Sequence, residues 1–173
     1  MPEAATYSVV ETLRNGRRVE IRALRPDDQA GLLTAVGRTS TQSLFRRFFA
    51  AKRGFTEQEV AFFMNIDFTN HVALVAVVEE AGGPVIVGGA RYIVGQPGQA
   101  EVAFVVVDEY QGQGIGAALM RHLAAIARSS GLRELTAEVL PANTPMLTVF
   151  EKSGFRLTRQ RMPEVIHLVL SLS

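Results

Sequence analysis

The sequence contains no cysteine and no tryptophan. The absence of cysteine excludes disulfides, cysteine-ligated zinc, iron–sulfur clusters and a thiol nucleophile, so no thioester intermediate can form on this chain. An excess of charge of one sign is also lacking, because 18 Lys and Arg balance 17 Asp and Glu for a net charge of +1. This balance provides no global field for nucleic acid or an anionic membrane, and we expect neither as a partner.

Long hydrophobic runs are missing as well. No stretch approaches the roughly 20 apolar residues of a membrane span. Residues 1–5 lack the basic start and apolar core of a secretory signal, so we expect a cytoplasmic protein. The chain has 173 residues, of which 47% are hydrophobic and 20% charged, a composition typical of a folded soluble domain. At roughly 150 residues per domain, this length predicts one domain over residues 1–173.

Hydrophobic periodicity and turn residues predict the order of elements. Asn15-Gly16 indicates an N-terminal hairpin, and Pro26-Asp27-Asp28 begins a helix through about Val36. Further apolar helical patterns occupy residues 40–50 and follow a capping box at residues 56–59. Three β-branched runs, a long amphipathic helix to about residue 130, a strand, a short helix and two closing strands complete the chain. We therefore expect an α/β fold with a mixed, mostly antiparallel sheet of about six or seven strands flanked by helices.

A glycine-rich turn, Gln111-Gly112-Gln113-Gly114-Ile115-Gly116, joins a predicted strand to the long helix. The first amides of a helix have no partner within the helix, and glycines let a phosphate approach them closely. The turn lacks the Lys-Ser/Thr of a P-loop, and its spacing differs from the dinucleotide fingerprint Gly-x-Gly-x-x-Gly. On this pattern alone, both a pyrophosphate cradle and a simple strand-to-helix turn without a ligand remain open.

The turn resembles the acetyl-CoA signature Gln/Arg-x-x-Gly-x-Gly/Ala of the GNAT N-acetyltransferases. A second segment is similar to another motif of that family, because Asn143 precedes a short helix that ends in Phe150-Glu151-Lys152-Ser153-Gly154-Phe155. Upstream, Ser40–Phe49 and Asn65-Ile66-Asp67-Phe68 resemble the catalytic domain of bacterial protein-lysine acetyltransferases, whose targets include acyl-CoA synthetases. The resemblance implies a single GNAT-type domain that uses acetyl-CoA as acetyl donor and needs no metal.

The resemblance also implies where acetyl-CoA binds. The main chain of Phe104 and Val106 would hydrogen-bond the pantetheine arm, the glycine turn would hold the pyrophosphate, and Asn143 would contact the cofactor from the neighbouring strand. An ordinary buried strand at residues 104–106 is the alternative. The implied cofactor-binding residues are Phe104, Val106, Gln111, Gly112, Gln113, Gly114, Ile115, Gly116 and Asn143.

Glu101 is an acidic residue entering an apolar strand, ten residues before the glycine turn. In the lysine-acetylating branch a Glu at this place is the general base, so the resemblance implies that role here. The chemistry needs a base, because a lysine amine with a pKa of about 10.4 is neutral only about once in a thousand at pH 7.4. A solvent-facing glutamate at a strand start is the alternative.

Two positions depart from the family pattern. Phe150 replaces the tyrosine that acts as general acid in many GNAT enzymes, and Phe45 stands where the lysine-acetylating branch often has tyrosine. Tyr110, just before the turn, reads as a surface residue. The three histidines have no mutual spacing that indicates a catalytic or metal site. A basic cluster at residues 46–53 reads as a solvated helix face, with contact to an acidic partner or to the adenosine 3′-phosphate as the alternatives.

These observations together predict an acetyl-CoA-dependent N-acetyltransferase that transfers the acetyl group directly to an amine, with Glu101 as catalytic base. Protein lysine, on targets of the acyl-CoA synthetase type, is the first acceptor to consider. A small-molecule amine and a non-catalytic acyl-CoA-binding regulatory module are the alternatives. The sequence is compatible with a monomer or a homodimer.

Overall fold

The computed structural model describes residues 3–37, 57–141 and 144–172. Eight strands in these ranges form one sheet: β1 (Ser8–Thr12), β2 (Arg18–Ala23), β3 (His71–Glu80), β4 (Gly83–Gln96), β5 (Gln99–Val106), β6 (Glu134–Val139), β7 (Arg156–Arg161) and β8 (Ile166–Ser171). The helices described are α1 (Gln29–Gly37), α2 (Glu57–Met64), α3 (Ile115–Ser129) and α4 (Thr144–Glu151), with short 3-10 turns at Glu3–Thr6, Pro26–Asp28 and Asp108–Tyr110.

The sheet runs in the order β1-β2-β3-β4-β5-β6-β8-β7. The expected mixed, mostly antiparallel α/β architecture is confirmed, with β5 and β6 as its parallel pair. The sheet has eight strands rather than the expected six or seven, and both strands of the predicted N-terminal hairpin belong to it, paired from Ser8 with Arg22 to Thr12 with Arg18. No helix in the described ranges is long and apolar enough to cross a membrane.

The two faces of the sheet are covered by different helices. Alternation along a strand sends successive side chains to opposite faces. Gly88 lies beneath α3, where an added Cβ would stand 3.3 Å from Ile115 Cγ2 and 3.1 Å from the Val105 carbonyl oxygen. The next residue, Gly89, lies beneath Leu32 of α1. Helix α3 buries an apolar stripe that includes Leu119 and Leu123, as its sequence periodicity predicts.

The helix that begins at Pro26-Asp27-Asp28 is confirmed, and it is anchored to the sheet by a buried ion pair. Arg22 donates from Nη1 and Nη2 to the Asp28 carboxylate at 2.8 and 3.0 Å, and the Arg25 amide donates to Asp28 at 2.7 Å. Burial alone would raise the pKa of Asp28, but the bonds from Arg22 and Arg25 outweigh burial and hold that pKa below its ordinary value of 3.8.

Because Asp28 compensates a buried guanidinium, we expect Asp28→Asn to lower the free energy of unfolding by about 3 kcal/mol. Asp27→Asn, at the exposed neighbouring carboxylate, is the matched control. Since the folded pKa of Asp28 is lowered, its contribution is present above pH 3.8 and is lost as the pH falls through the folded pKa. Urea unfolding at pH 7 and at pH 3 measures both effects, and equal stability of the two variants at pH 7 would contradict the expectation.

The predicted helical pattern at residues 40–50 and Thr56 of the capping box lie outside the described residues. The long helix expected to residue 130 is confirmed as α3, and the short helix near residue 143 as α4.

Candidate active site

The central feature of the site is a gap that opens between β5 and β6. Their parallel pairing includes three positions only, Gln99 with Glu134, Ala100 with Leu135 and Glu101 with Thr136. Beyond Glu101, β5 continues to Val106 paired with β4 alone, while β6 continues to Val139 paired with β8. Beyond Glu101 the two strands diverge, and an extended ligand can be bound between strands that separate in this way.

Glu101 lies at the last paired position, where the gap begins, and it is half-buried. Its partner on β4 is Ile93, which lies four residues after Gly89 and therefore on the same face of the sheet. Glu101 thus faces the side of the sheet that α1 covers. Thr136 and Glu138 of β6 point to the same face and are also half-buried. This arrangement surrounds the vertex of the gap with acidic and polar groups on one face of the sheet.

Phe104 and Val106 alternate with Glu101 and therefore face the opposite side, toward α3 and α4. The Phe104 ring is 1% exposed and packs edge-on against Phe150, with ring centroids 5.7 Å apart. Phe150, which replaces the general-acid tyrosine of many related enzymes, is therefore a residue of the hydrophobic core. The Val106 carbonyl accepts a hydrogen bond from Gln111 Nε2 at 3.1 Å.

The glycine turn adopts a conformation that depends on its glycines. Gly112 and Gly114 have φ values of +80° and +97°, a region that side chains with a Cβ rarely adopt. Gly114 is the N-cap of α3 and provides no side-chain cap for the first amides of the helix. At Gly116, an added Cβ would stand 3.2 Å from Val149 of α4, so this glycine lets the two helices approach. Open amides at a helix start favour an anionic ligand.

A groove of about 570 Å³ runs along this turn, between the β1–β2 hairpin on one side and α4 on the other. This size lies within the range of small-molecule sites. Six of the sequence-predicted cofactor residues line the groove, namely Val106, Gln111, Gly112, Gln113, Gly114 and Gly116.

The other predicted residues lie elsewhere. Glu101 and Phe104 do not line the groove, since Glu101 faces the opposite side of the sheet and Phe104 is buried beneath the groove-forming elements. Ile115 is also buried, at 1% exposure, and packs into the core rather than into the groove. Asn143 lies outside the described residues.

Sequence reasoning missed one wall of the groove, which the hairpin residues Leu13, Arg14 and Asn15 form. Asn15 Nδ2 donates to Gln113 Oε1 at 3.0 Å, which joins the hairpin tip to the glycine turn across 98 residues of sequence. Asn15-Gly16 signalled the hairpin turn, but no local pattern places that turn beside residue 113. Arg121 and Lys152 also line the groove.

Tyr110 is a buried residue, and the expectation that it lies on the surface is wrong. It is 7% exposed, its hydroxyl donates to Glu80 Oε2 at 2.5 Å, and the Arg17 guanidinium lies 5.2 Å from its ring centroid. The 3-10 turn at Asp108–Tyr110 directs the ring inward, toward partners from β3 and the hairpin. Such long-range partners cannot be identified from neighbouring residues.

The histidines His71 and His122 have partners within the fold. His71 is 7% exposed, and its Nε2 lies 3.0 Å from Arg91 Nη1, which also donates to the Phe63 carbonyl at 2.9 Å. Burial and the charge of Arg91 lower the pKa of His71 to about 4, so its ring is neutral at pH 7 and accepts a hydrogen bond from the arginine. His122 bonds to Tyr7 and to Glu11 and connects β1 to α3.

Diverging parallel strands beside a glycine-rich helix start, within a mixed sheet, define the acetyltransferase class of fold. The chain belongs to the GNAT acetyltransferase family, whose model matches residues 39–155. It is 36% identical over 163 residues to the acetyltransferase PA5475 of Pseudomonas aeruginosa, in a match that includes 91% of this chain and 87% of that protein.

Two further relatives carry the name Pat. The acetyltransferase Pat of Mycolicibacterium smegmatis is 32% identical over 158 residues, which are 89% of this chain and 46% of Pat, so the chain spans about half the length of that protein. The crystal structure of the GNAT domain of S. lividans PAT superposes with a TM-score of 0.80 at 33% identity, over 95% of this chain and 96% of that domain.

Proposed function

We propose that this GNAT acetyltransferase transfers the acetyl group of acetyl-CoA to lysine side chains of proteins, with Glu101 as the general base. The observation that carries the proposal is the position of Glu101 at the vertex of the gap between β5 and β6, with the glycine-lined groove on the other face of the sheet. A donor bound in the groove and an amine arriving from the Glu101 face would meet in the gap.

The residues present fit acetyl-CoA. The uncapped start of α3 and the cations Arg14, Arg121 and Lys152 suit its phosphates, and the edge of β5 that diverges from β6 suits its extended pantetheine arm. When bound, acetyl-CoA supplies an activated acyl carbon. Because the chain has no cysteine, no thioester intermediate can form on it, which agrees with direct attack of the amine on that carbon.

In the transfer step Glu101 accepts a proton from the attacking amine, directly or through one water, as the new C–N bond forms and the C–S bond breaks. The departing CoA thiol has a pKa near that of cysteine, about 8.5, and can leave as a thiolate without a strong acid. The replacement of a motif tyrosine by the buried Phe150 is therefore compatible with turnover.

The acceptor face supports a cationic substrate. Glu138 and Glu101 lie on the two diverging strands and point to the same side of the sheet, which favours the approach of an ammonium group. The resemblance of residues 40–49 and 65–68 to protein-lysine acetyltransferases directs the first test toward proteins.

The test is transfer of radiolabelled acetyl-CoA into a lysate of the source cells, with heat-inactivated enzyme as the control for spontaneous acetylation. We expect label on a few protein bands that is stable to hydroxylamine, which mass spectrometry then assigns to lysine. Label confined to small molecules would contradict the protein acceptor and favour an amine metabolite. Bound acetyl-CoA with no label in either fraction would favour a regulatory binding module.

A further inference from the structure

The groove is lined by cationic side chains as well as by the amides of the glycine turn. Of the described residues that line it, three are cations, namely Arg14 from the hairpin, Arg121 from α3 and Lys152 after the end of α4, and one is a carboxylate, Glu11. The basic cluster at residues 46–53, for which the sequence allowed contact with a 3′-phosphate, lies outside the described residues. The positive charge of the described groove therefore comes from other elements.

The hairpin that carries Arg14 is held against α3 at two levels. At its tip, Asn15 is bonded to Gln113 of the glycine turn. Further along β1, Glu11 accepts a hydrogen bond from Arg121 Nη2 at 2.5 Å and also contacts His122. The hairpin is thus a fixed wall of the groove, and a side chain on its tip is placed relative to the start of α3.

The three cations differ in whether they already form an ion pair with a carboxylate. The guanidinium of Arg121 is already paired with Glu11. Within the described residues, Arg14 and Lys152 form no ion pair, and both are exposed. Arg14 also has the planar fork of donors that matches two oxygens of one phosphate, which the Lys152 ammonium lacks.

Arg14 belongs to a different element from the glycine turn, although the two line the same groove. The described lining of the groove includes Val106 of β5, the glycine turn and the hairpin tip, which the bond from Asn15 to Gln113 holds beside the turn. A CoA molecule with its pantetheine arm along β5 and its pyrophosphate at the turn would place its ribose beyond the turn, where the hairpin and the end of α4 provide the walls of the groove. The ribose 3′-phosphate, with a charge near −2, is the remaining anionic group of the ligand.

We propose that Arg14 binds the ribose 3′-phosphate of CoA and makes this protein discriminate CoA from 3′-dephospho-CoA. The inference rests on the proposed use of acetyl-CoA, and it assigns a specificity role to the β1–β2 hairpin. The cofactor site therefore extends from the glycine turn to an element about 100 residues earlier in the chain.

The test is isothermal titration of CoA and of 3′-dephospho-CoA into four proteins: the wild type, Arg14→Ala, Arg14→Lys and Arg18→Ala. We expect the wild type to bind CoA about 10-fold more tightly than the dephospho form, as one charge-assisted phosphate contact allows. Arg14→Ala should reduce that ratio to below about 2-fold by weakening CoA alone, and Arg14→Lys should restore part of it. Arg18→Ala removes another exposed arginine of the same hairpin, outside the groove, and should keep the wild-type ratio.

Two results would overturn the inference and leave the proposed function standing. One is equal binding of both ligands by the wild type. The other is an equal loss for both ligands in Arg14→Ala, because the charge would then act on the pyrophosphate. Absence of CoA binding to the folded wild type would instead contradict the proposed donor as well as this inference. Thermal unfolding of each variant establishes that the proteins compared are folded.

Discussion

Replacing Glu101 with glutamine is expected to lower kcat for the proposed lysine acetylation by about 10²- to 10⁴-fold, the usual contribution of a positioned general base. Glutamine keeps the size and hydrogen-bonding capacity of the side chain but cannot accept the proton of the attacking amine. Since Glu101 does not line the glycine groove, the dissociation constant of acetyl-CoA should change by less than about 2-fold.

The pH dependence of the rate distinguishes the loss of a general base from a nonspecific disruption of the active site. Without Glu101, the rate should follow the free-amine fraction and rise about tenfold per pH unit toward the lysine pKa of about 10.4. Glu134→Gln is the matched control, because Glu134 lies on the same sheet face, at the ladder position two residues before Thr136. Wild-type turnover in Glu101→Gln, with acetyl-CoA binding intact, would show that another group takes the proton.

The second large effect is expected at Gly114. Its φ of +97° disfavours any residue with a Cβ, so Gly114→Ala should rotate the turn and misplace the amides at the start of α3. Loss of about 2 kcal/mol of charge-assisted hydrogen bonding corresponds to about 30-fold weaker acetyl-CoA binding. Titration calorimetry with acetyl-CoA measures this change.

Gly131→Ala provides the control for backbone strain. Gly131 ends α3 with a φ of +87°, has no atom within 4 Å of an added Cβ, and lies outside the groove. Both variants should lose about 1–2 kcal/mol of folding stability, while only Gly114→Ala should lose affinity for acetyl-CoA. Similar affinities in the two variants would contradict the assignment of the turn as the phosphate cradle.

Elements set by local patterns could be predicted well. The amphipathic stripe of α3, the Pro26-Asp27-Asp28 start and the strands around residues 71–106 follow from side-chain periodicity and turn residues, which act over a few positions. The burial of individual side chains was harder to predict. Tyr110 looked like a surface residue because its partners Glu80 and Arg17 are distant in sequence.

The sequence by itself excluded a thioester intermediate on this chain, because it contains no cysteine, and its motif from Gln111 to Gly116 predicted a turn suited to phosphate. The tertiary structure decided how that chemistry is arranged. The pairing of β5 with β6 stops at Glu101, which places the carboxylate at the start of the gap. The bond between Asn15 and Gln113 brings the hairpin, with Arg14, to the groove. Both features arise from contacts between segments far apart in the chain, whose geometry depends on the packing of the whole sheet rather than on any local pattern.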